Sequence, residues 1–95
     1  MAEVWVFSGD RNSAGSNATF PGGVFSTIQL AEEWIAKHGL SGVLTMYWLD
    51  VGAYDWAVAN ATFKPKKPHH FTPEFIGQFA GGETHFHYEC GKRAG

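Results

Sequence analysis

GVLTMYWLDVGAYDWA, residues 42–57, is the stretch whose reading decides the fold. Val43, Thr45, Tyr47 and Leu49 alternate with Leu44, Met46 and Trp48, so a strand here points two different sets of side chains to its two faces. Both sets are largely apolar. Such a strand belongs in the interior of a sheet, with both faces covered, or with helices on one face and a partner chain or ligand on the other. Asp50 is then expected to cap a short helix by accepting from its free N–H groups. Val51, Tyr54, Ala57 and Val58 recur at helical spacing, which leaves Asp55 and Trp56 off the apolar stripe.

Toward the N-terminus, Glu3–Ser8 (EVWVFS) has β-branched and aromatic content that predicts a second strand, with Trp5 and Phe7 on one side and Val4 and Val6 on the other. Residues 9–19, GDRNSAGSNAT, hold almost no large apolar side chain and read as a mobile loop. Its glycines match neither a phosphate loop nor a dinucleotide fingerprint. Phe20–Phe25 (FPGGVF) predicts a short extended segment, an edge strand or a sharp bend. Ser26-Thr27-Ile28-Gln29 then fits a capping box, with Phe25 and Leu30 placed as a hydrophobic staple. The helix it opens carries Ile28, Ala31, Trp34, Ile35 and His38 on one stripe. Gly39 ends it, and Leu40 stands where a Schellman ending makes its apolar contact.

Toward the C-terminus, Phe63–Pro68 (FKPKKP) predicts an extended, solvated connection because its prolines block a helix. Thr72-Pro73-Glu74 supplies an N-cap, a first-turn proline and a first-turn acid for a short helix to Phe79, expected to bury Phe75, Ile76 and Phe79. After a turn at Gly81-Gly82, the segment Glu83–Glu89 alternates clearly. Thr84, Phe86 and Tyr88 face inward, and Glu83, His85, His87 and Glu89 face out. Residues 91–95 are polar and expected to fray. The predicted architecture is α+β: a two-layer sandwich of about four mainly antiparallel strands with two to three helices, in the order ββαβααβ.

The chain is 95 residues long, enough for one domain spanning 1–95 with a single two-layer core. A net charge of −2 argues against nucleic acid as the main partner. Cys90 is the sole cysteine, which excludes an intramolecular disulfide framework. The start, MAEVWVFSGD, lacks a basic and then apolar leader, and no apolar run is long enough to cross a bilayer, so a cytoplasmic protein off the membrane is expected. Two sequons, at Asn17 and Asn60, match by chance if the chain never enters a secretory route.

Three constellations bear on chemistry. His85 and His87 project from one side of a strand and are candidate ligands for a transition metal, with Cys90 or His69-His70 as further donors; the solvated face that an amphipathic strand needs anyway explains the pair without a metal. Asp50, Tyr54, Asp55 and Trp56 combine two carboxylates with two aromatic rings, but a cap and a helix surface account for the acids without catalysis. Lys64, Lys66, Lys67, His69 and His70 form a basic arm that suits phosphate or an acidic protein surface, or simply a solvated linker. No serine sits in a nucleophile elbow. No catalytic residue and no cofactor are therefore assigned.

VWVFSG, PGGVFS, AEEWIAKHGLSGVLT, LDVGAYDWA, FKPKKP with PEFIGQF, and the closing HFHYECG together resemble a family of small uncharacterised bacterial proteins, a domain of unknown function. The likeness spans nearly the whole chain apart from residues 9–19. It implies no activity and transfers no residue role. By class alone, such small bacterial domains resemble immunity or accessory proteins for toxins. The expected function is thus non-enzymatic: binding another protein, or a second copy of the chain, by occlusion, with Trp48, Tyr54, Asp55 and Trp56 as candidate contacts. The rival expectation is a small-molecule or metal-binding protein, or an enzyme, built on His85, His87, Asp50 and Asp55.

Overall fold

The computed structural model describes residues 2–9, 20–79 and 84–94. Its elements are β1 (Glu3–Gly9), β2 (Gly23–Phe25), α1 (Ile28–His38), β3 (Gly42–Trp48), α2 (Ala53–Ala59), a 3₁₀ turn (Pro68–Phe71), α3 (Pro73–Gly77), β4 (His85–Glu89) and β5 (Lys92–Ala94). The fold is α+β, as expected. The five strands form one sheet in the order β2-β1-β3-β4-β5, and every neighbouring pair is antiparallel. β3 lies at its centre, between β1 and β4, as its two apolar sides predict.

The strand count differs from the expected four. Lys92–Ala94, within the tail expected to fray, pairs with β4 through His87↔Ala94, Tyr88↔Arg93 and Glu89↔Lys92. The turn between them consists of Cys90 (φ 50°) and Gly91 (φ 87°), two left-handed residues in succession, as a two-residue hairpin of type I′ requires. Glycine suits Gly91 twice over. A Cβ there would also stand 3.1 Å from the Cα of Gly39 and 3.3 Å from that of Ala36, because the hairpin tip abuts the end of α1. The Gly91 N–H donates to the Leu40 carbonyl at 2.9 Å across this junction. The expected mobile loop, beyond Gly9, and the expected Gly81-Gly82 turn with Glu83 lie outside the described residues.

α1 begins one residue later than the capping-box reading. Thr27 is the N-cap, and its hydroxyl accepts from the Leu30 N–H at 3.2 Å. That shift removes Ser26-Gln29 as a box and Phe25-Leu30 as a staple, and Leu30 is left half-exposed. The C-terminal reading holds. Gly39 is left-handed (φ 61°), its N–H donates to the Ala36 carbonyl, and the Leu40 N–H donates to the Ile35 carbonyl at 3.0 Å, the bond pair of a Schellman ending.

The main core lies between α1 and one face of the sheet: Trp5, Phe7, Leu44 and Tyr88 pack against Ala31 and Ile35, with Phe25, Ile28, Trp34, Leu40, Met46 and Phe86 around them. Burying the larger of these side chains contributes roughly 1.5–3 kcal/mol each, so this layer dominates the stability of the domain. A second cluster forms from α2, α3 and their connection. Tyr54 and Ala57 are buried there, outside the main core, and the Tyr54 ring meets Phe63, Phe75 and Phe79 at 5.6–6.2 Å. Trp48 at the end of β3 stacks on Trp56 of α2, 6.0 Å apart.

Three local expectations change in this region. Asp50 does not cap α2: it takes a left-handed turn conformation (φ 67°), and the N-cap is Gly52, which makes no side-chain cap bond. α3 keeps its predicted start, with the Thr72 hydroxyl accepting from the Phe75 N–H at 3.2 Å, but it ends at Gly77 and leaves Ile76 exposed. His69 and His70, read as part of a solvated arm, belong to the 3₁₀ turn that packs on Phe63 and Phe75.

Candidate functional site: the uncovered face of the sheet

Register fixes which side chains share a face, because directly opposed residues in antiparallel strands project together. Trp5↔Met46, Phe7↔Leu44, Leu44↔Phe86 and Tyr88↔Arg93 place those residues on the side of α1. Val6↔Val24, Val4↔Tyr47, Val6↔Thr45, Val43↔His87, Thr45↔His85 and His87↔Ala94 define the opposite side. The two sides differ sharply. Leu44 is fully buried and Phe7 is 2 % exposed on the helix side, whereas Val24 is 61 % and Tyr47 38 % exposed on the other. Among the described residues, no side chain on that second face is buried.

The uncovered face is therefore a valine-rich strip, Val4, Val6, Val24 and Val43, bordered by Thr45, Tyr47, His85 and His87. Its central members, Val4, Val6, Val43 and Thr45, are half-buried. The His85 and His87 rings lie 5.2 Å apart, nearly perpendicular, on β4. The alternation in Glu83–Glu89 did place both imidazoles outside the core. The strip itself was harder to read, since Val4 and Val6 look like core residues in sequence.

The remaining candidates are dispersed. Trp48 and Trp56 are half-buried against each other, and Tyr54, 9 % exposed, supports the second cluster from within. Asp55 is exposed in the first turn of α2. Among the described residues no three His, Cys, Asp or Glu side chains gather as a metal site, so Asp50, Asp55 and the His85–His87 pair do not converge. Cys90 is exposed at the β4–β5 turn, and its N–H donates to the Ser41 hydroxyl at 3.0 Å. Lys64, Lys66 and Lys67 are exposed and make no ion pair among the described residues.

The displaced titrations lie in two clusters, and both serve structure. Burial, reinforced by its hydrogen bond to Glu32, pushes the Tyr88 hydroxyl up to about 12. The Tyr88 hydroxyl, opposed by burial and aided by the Arg93 guanidinium, holds the Glu32 carboxyl below its ordinary value. In the second cluster, burial and the nearby charges of His69 and Lys67 lower the His70 imidazole. Its Nδ1 accepts the N–H groups of Lys66 at 3.0 Å and Lys67 at 3.2 Å, which requires that nitrogen to be unprotonated.

The chain belongs to a family described as a domain of unknown function (DUF7710), whose profile matches residues 4–94. No curated protein and no solved structure matches it. No helix among the described residues is long and apolar enough to cross a membrane.

Proposed function

We propose that this member of the family is a non-enzymatic binding module whose uncovered sheet face occludes a surface of another protein. The observation that carries this reading is the asymmetry of the sheet: one face sealed by α1, the other an apolar strip with an exposed tyrosine. Tyrosine and clustered aliphatic side chains supply contact area at low entropic cost, and exposed apolar strips on small domains mark interaction sites. Trp48 and Trp56 are stacked on each other and Tyr54 is buried in the second cluster, so Tyr47 serves as the aromatic contact in their place. A toxin-neutralising or accessory role in a bacterial cytoplasm is the biological setting this reading suits, because occlusion needs surface complementarity and no chemistry.

The test is affinity capture from the native host with the wild-type chain and with Tyr47→Glu and Val24→Lys variants, together with sedimentation of the pure chain. Capture of one partner that both substitutions abolish, with folding intact, supports the proposal. A strictly monomeric chain that recovers no partner, or a partner indifferent to both substitutions, defeats it.

A further inference from the structure

We infer that Lys64, Lys66 and Lys67, with exposed Phe71 and Ile76 in the turn and helix that follow, form a docking surface for a short acidic segment of another protein that also carries an apolar side chain. This surface belongs to the second cluster and goes beyond the sheet-face reading. Charge complementarity is the first argument. Three of the seven Lys and Arg residues fall within residues 64–67, and no acidic residue occurs between Asp55 and Glu74. The chain carries −2 overall, so without these three lysines the remainder carries −5. An acidic partner is repelled by that remainder and attracted to this arm, which steers and orients the encounter. All three lysines are exposed, and none is ion-paired among the described residues.

The arm is also held in place, which a merely solvated linker does not require. Nδ1 of His70 accepts the Lys66 and Lys67 N–H groups, the His70 N–H donates back to the Lys67 carbonyl at 2.9 Å, and the His70 ring packs on Phe63 and Phe75. The backbone that carries the lysines is therefore ordered before any partner arrives, and less conformational freedom is lost on binding. Phe71 is 59 % and Ile76 38 % exposed, so apolar surface adjoins the cations. Three lysines fall short of the about four to eight that mark a lipid-binding polybasic segment. The exposed apolar residues sit on a four-residue 3₁₀ turn and a five-residue helix, not on a continuous amphipathic face. An extended polyanion such as a nucleic acid would run on over the negatively charged remainder of the chain. A compact acidic protein segment meets neither obstacle.

The test uses the purified chain and a fluorescent peptide of glutamates flanking one leucine. No host partner is present, so its failure and the failure of the sheet-face reading are distinguishable. The peptide should bind at about 0.05 M salt and weaken about tenfold or more at about 0.5 M, because screening shortens the reach of exposed charges. A peptide with lysine in place of glutamate should not bind. Amide resonances of residues 64–71 should shift in the complex. Lys66→Glu combined with Lys67→Glu should weaken binding about tenfold or more, and Phe71→Ser about threefold, while Lys37→Glu leaves it unchanged. Both lysines are exposed, so the charge-reversed chain keeps its fold. Absence of binding at low salt, or undiminished binding by the charge-reversed chain, overturns the inference. So does tighter retention by vesicles of phosphatidylglycerol and phosphatidylcholine, or by single-stranded oligothymidine, than by the acidic peptide.

Discussion

The guanidinium of Arg93 in β5 donates to the carboxylate of Glu32 in α1 at 2.5 Å, although 61 residues separate them in the chain. The Tyr88 hydroxyl donates to the same oxygen at 2.6 Å, and the Arg93 guanidinium carbon sits 4.0 Å from the centre of the Phe86 ring. A three-residue strand is thereby anchored to the helix at the far edge of the covered face. Removing Glu32 leaves the Tyr88 hydroxyl in a buried site without its acceptor, so Glu32→Ala should destabilise by about 1–3 kcal/mol. Arg93→Ala removes an ion pair whose side chains are 45 % and 36 % exposed, so it should cost only about 0.5–1 kcal/mol. Urea unfolding of the two variants checks the order.

Tyr88 also sets an alkaline limit. Its folded value of about 12 lies above the ordinary value of 10.0, so the folded state holds the phenolic proton more tightly than the unfolded chain does. The associated stability is complete below pH 10 and is lost as pH rises through 12, a swing of up to about 3 kcal/mol. Tyr88→Phe should flatten the stability profile above pH 10, and phenolate absorbance followed alongside unfolding measures it.

His70 sets an acid limit in the second cluster. Its folded value is lowered from 6.5, so the unfolded chain binds the proton more readily, and the stability it contributes is present above pH 6.5 and is lost as pH falls through the folded value. Protonating Nδ1 also breaks its bonds from the Lys66 and Lys67 N–H groups. Ring resonances of Phe63 and Phe75 should broaden in acid before those of Trp5 and Phe7, and His70→Ala should abolish that difference in pH response.

The β4–β5 turn invites a stabilising change. Cys90 holds a left-handed backbone at the first position of a type I′ turn, where asparagine is preferred. Cys90→Asn keeps the N–H that donates to Ser41 and should raise stability by about 0.5–1 kcal/mol in thermal unfolding.

The two faces of β3 should respond oppositely to truncation. Leu44→Ala opens a cavity in the sealed core and should cost about 3–5 kcal/mol. Tyr47→Ala, on the uncovered face, should cost less than about 1 kcal/mol while removing the proposed contact. Comparable losses at both positions would mean that the second face is covered.

Local chemistry alone determined much of this protein. Alternation in residues 43–48 and 85–88 assigned strands and faces correctly, because the side-chain period of a strand needs no tertiary information. The Gly39-Leu40 ending of α1 and the Thr72-Pro73 start of α3 were equally legible, since each rests on bonds within one turn. The helix caps fall at Thr27 and Gly52 rather than at Ser26 and Asp50, since several neighbouring residues can serve and local signals do not choose among them. Strand β5 was invisible for a different reason: Lys92-Arg93-Ala94 has little intrinsic β preference, and partners on β4 and α1 recruit it.

The uncovered face shows the division most clearly. From the sequence, both sides of GVLTMYWL were apolar and equally able to be core. Only the register with β1 and β4, together with the seating of α1 over Leu44, decided that Leu44 and Met46 are sealed while Val43, Thr45 and Tyr47 look outward. Periodicity tells which residues share a face, but which face is covered depends on where a helix distant in sequence comes to rest.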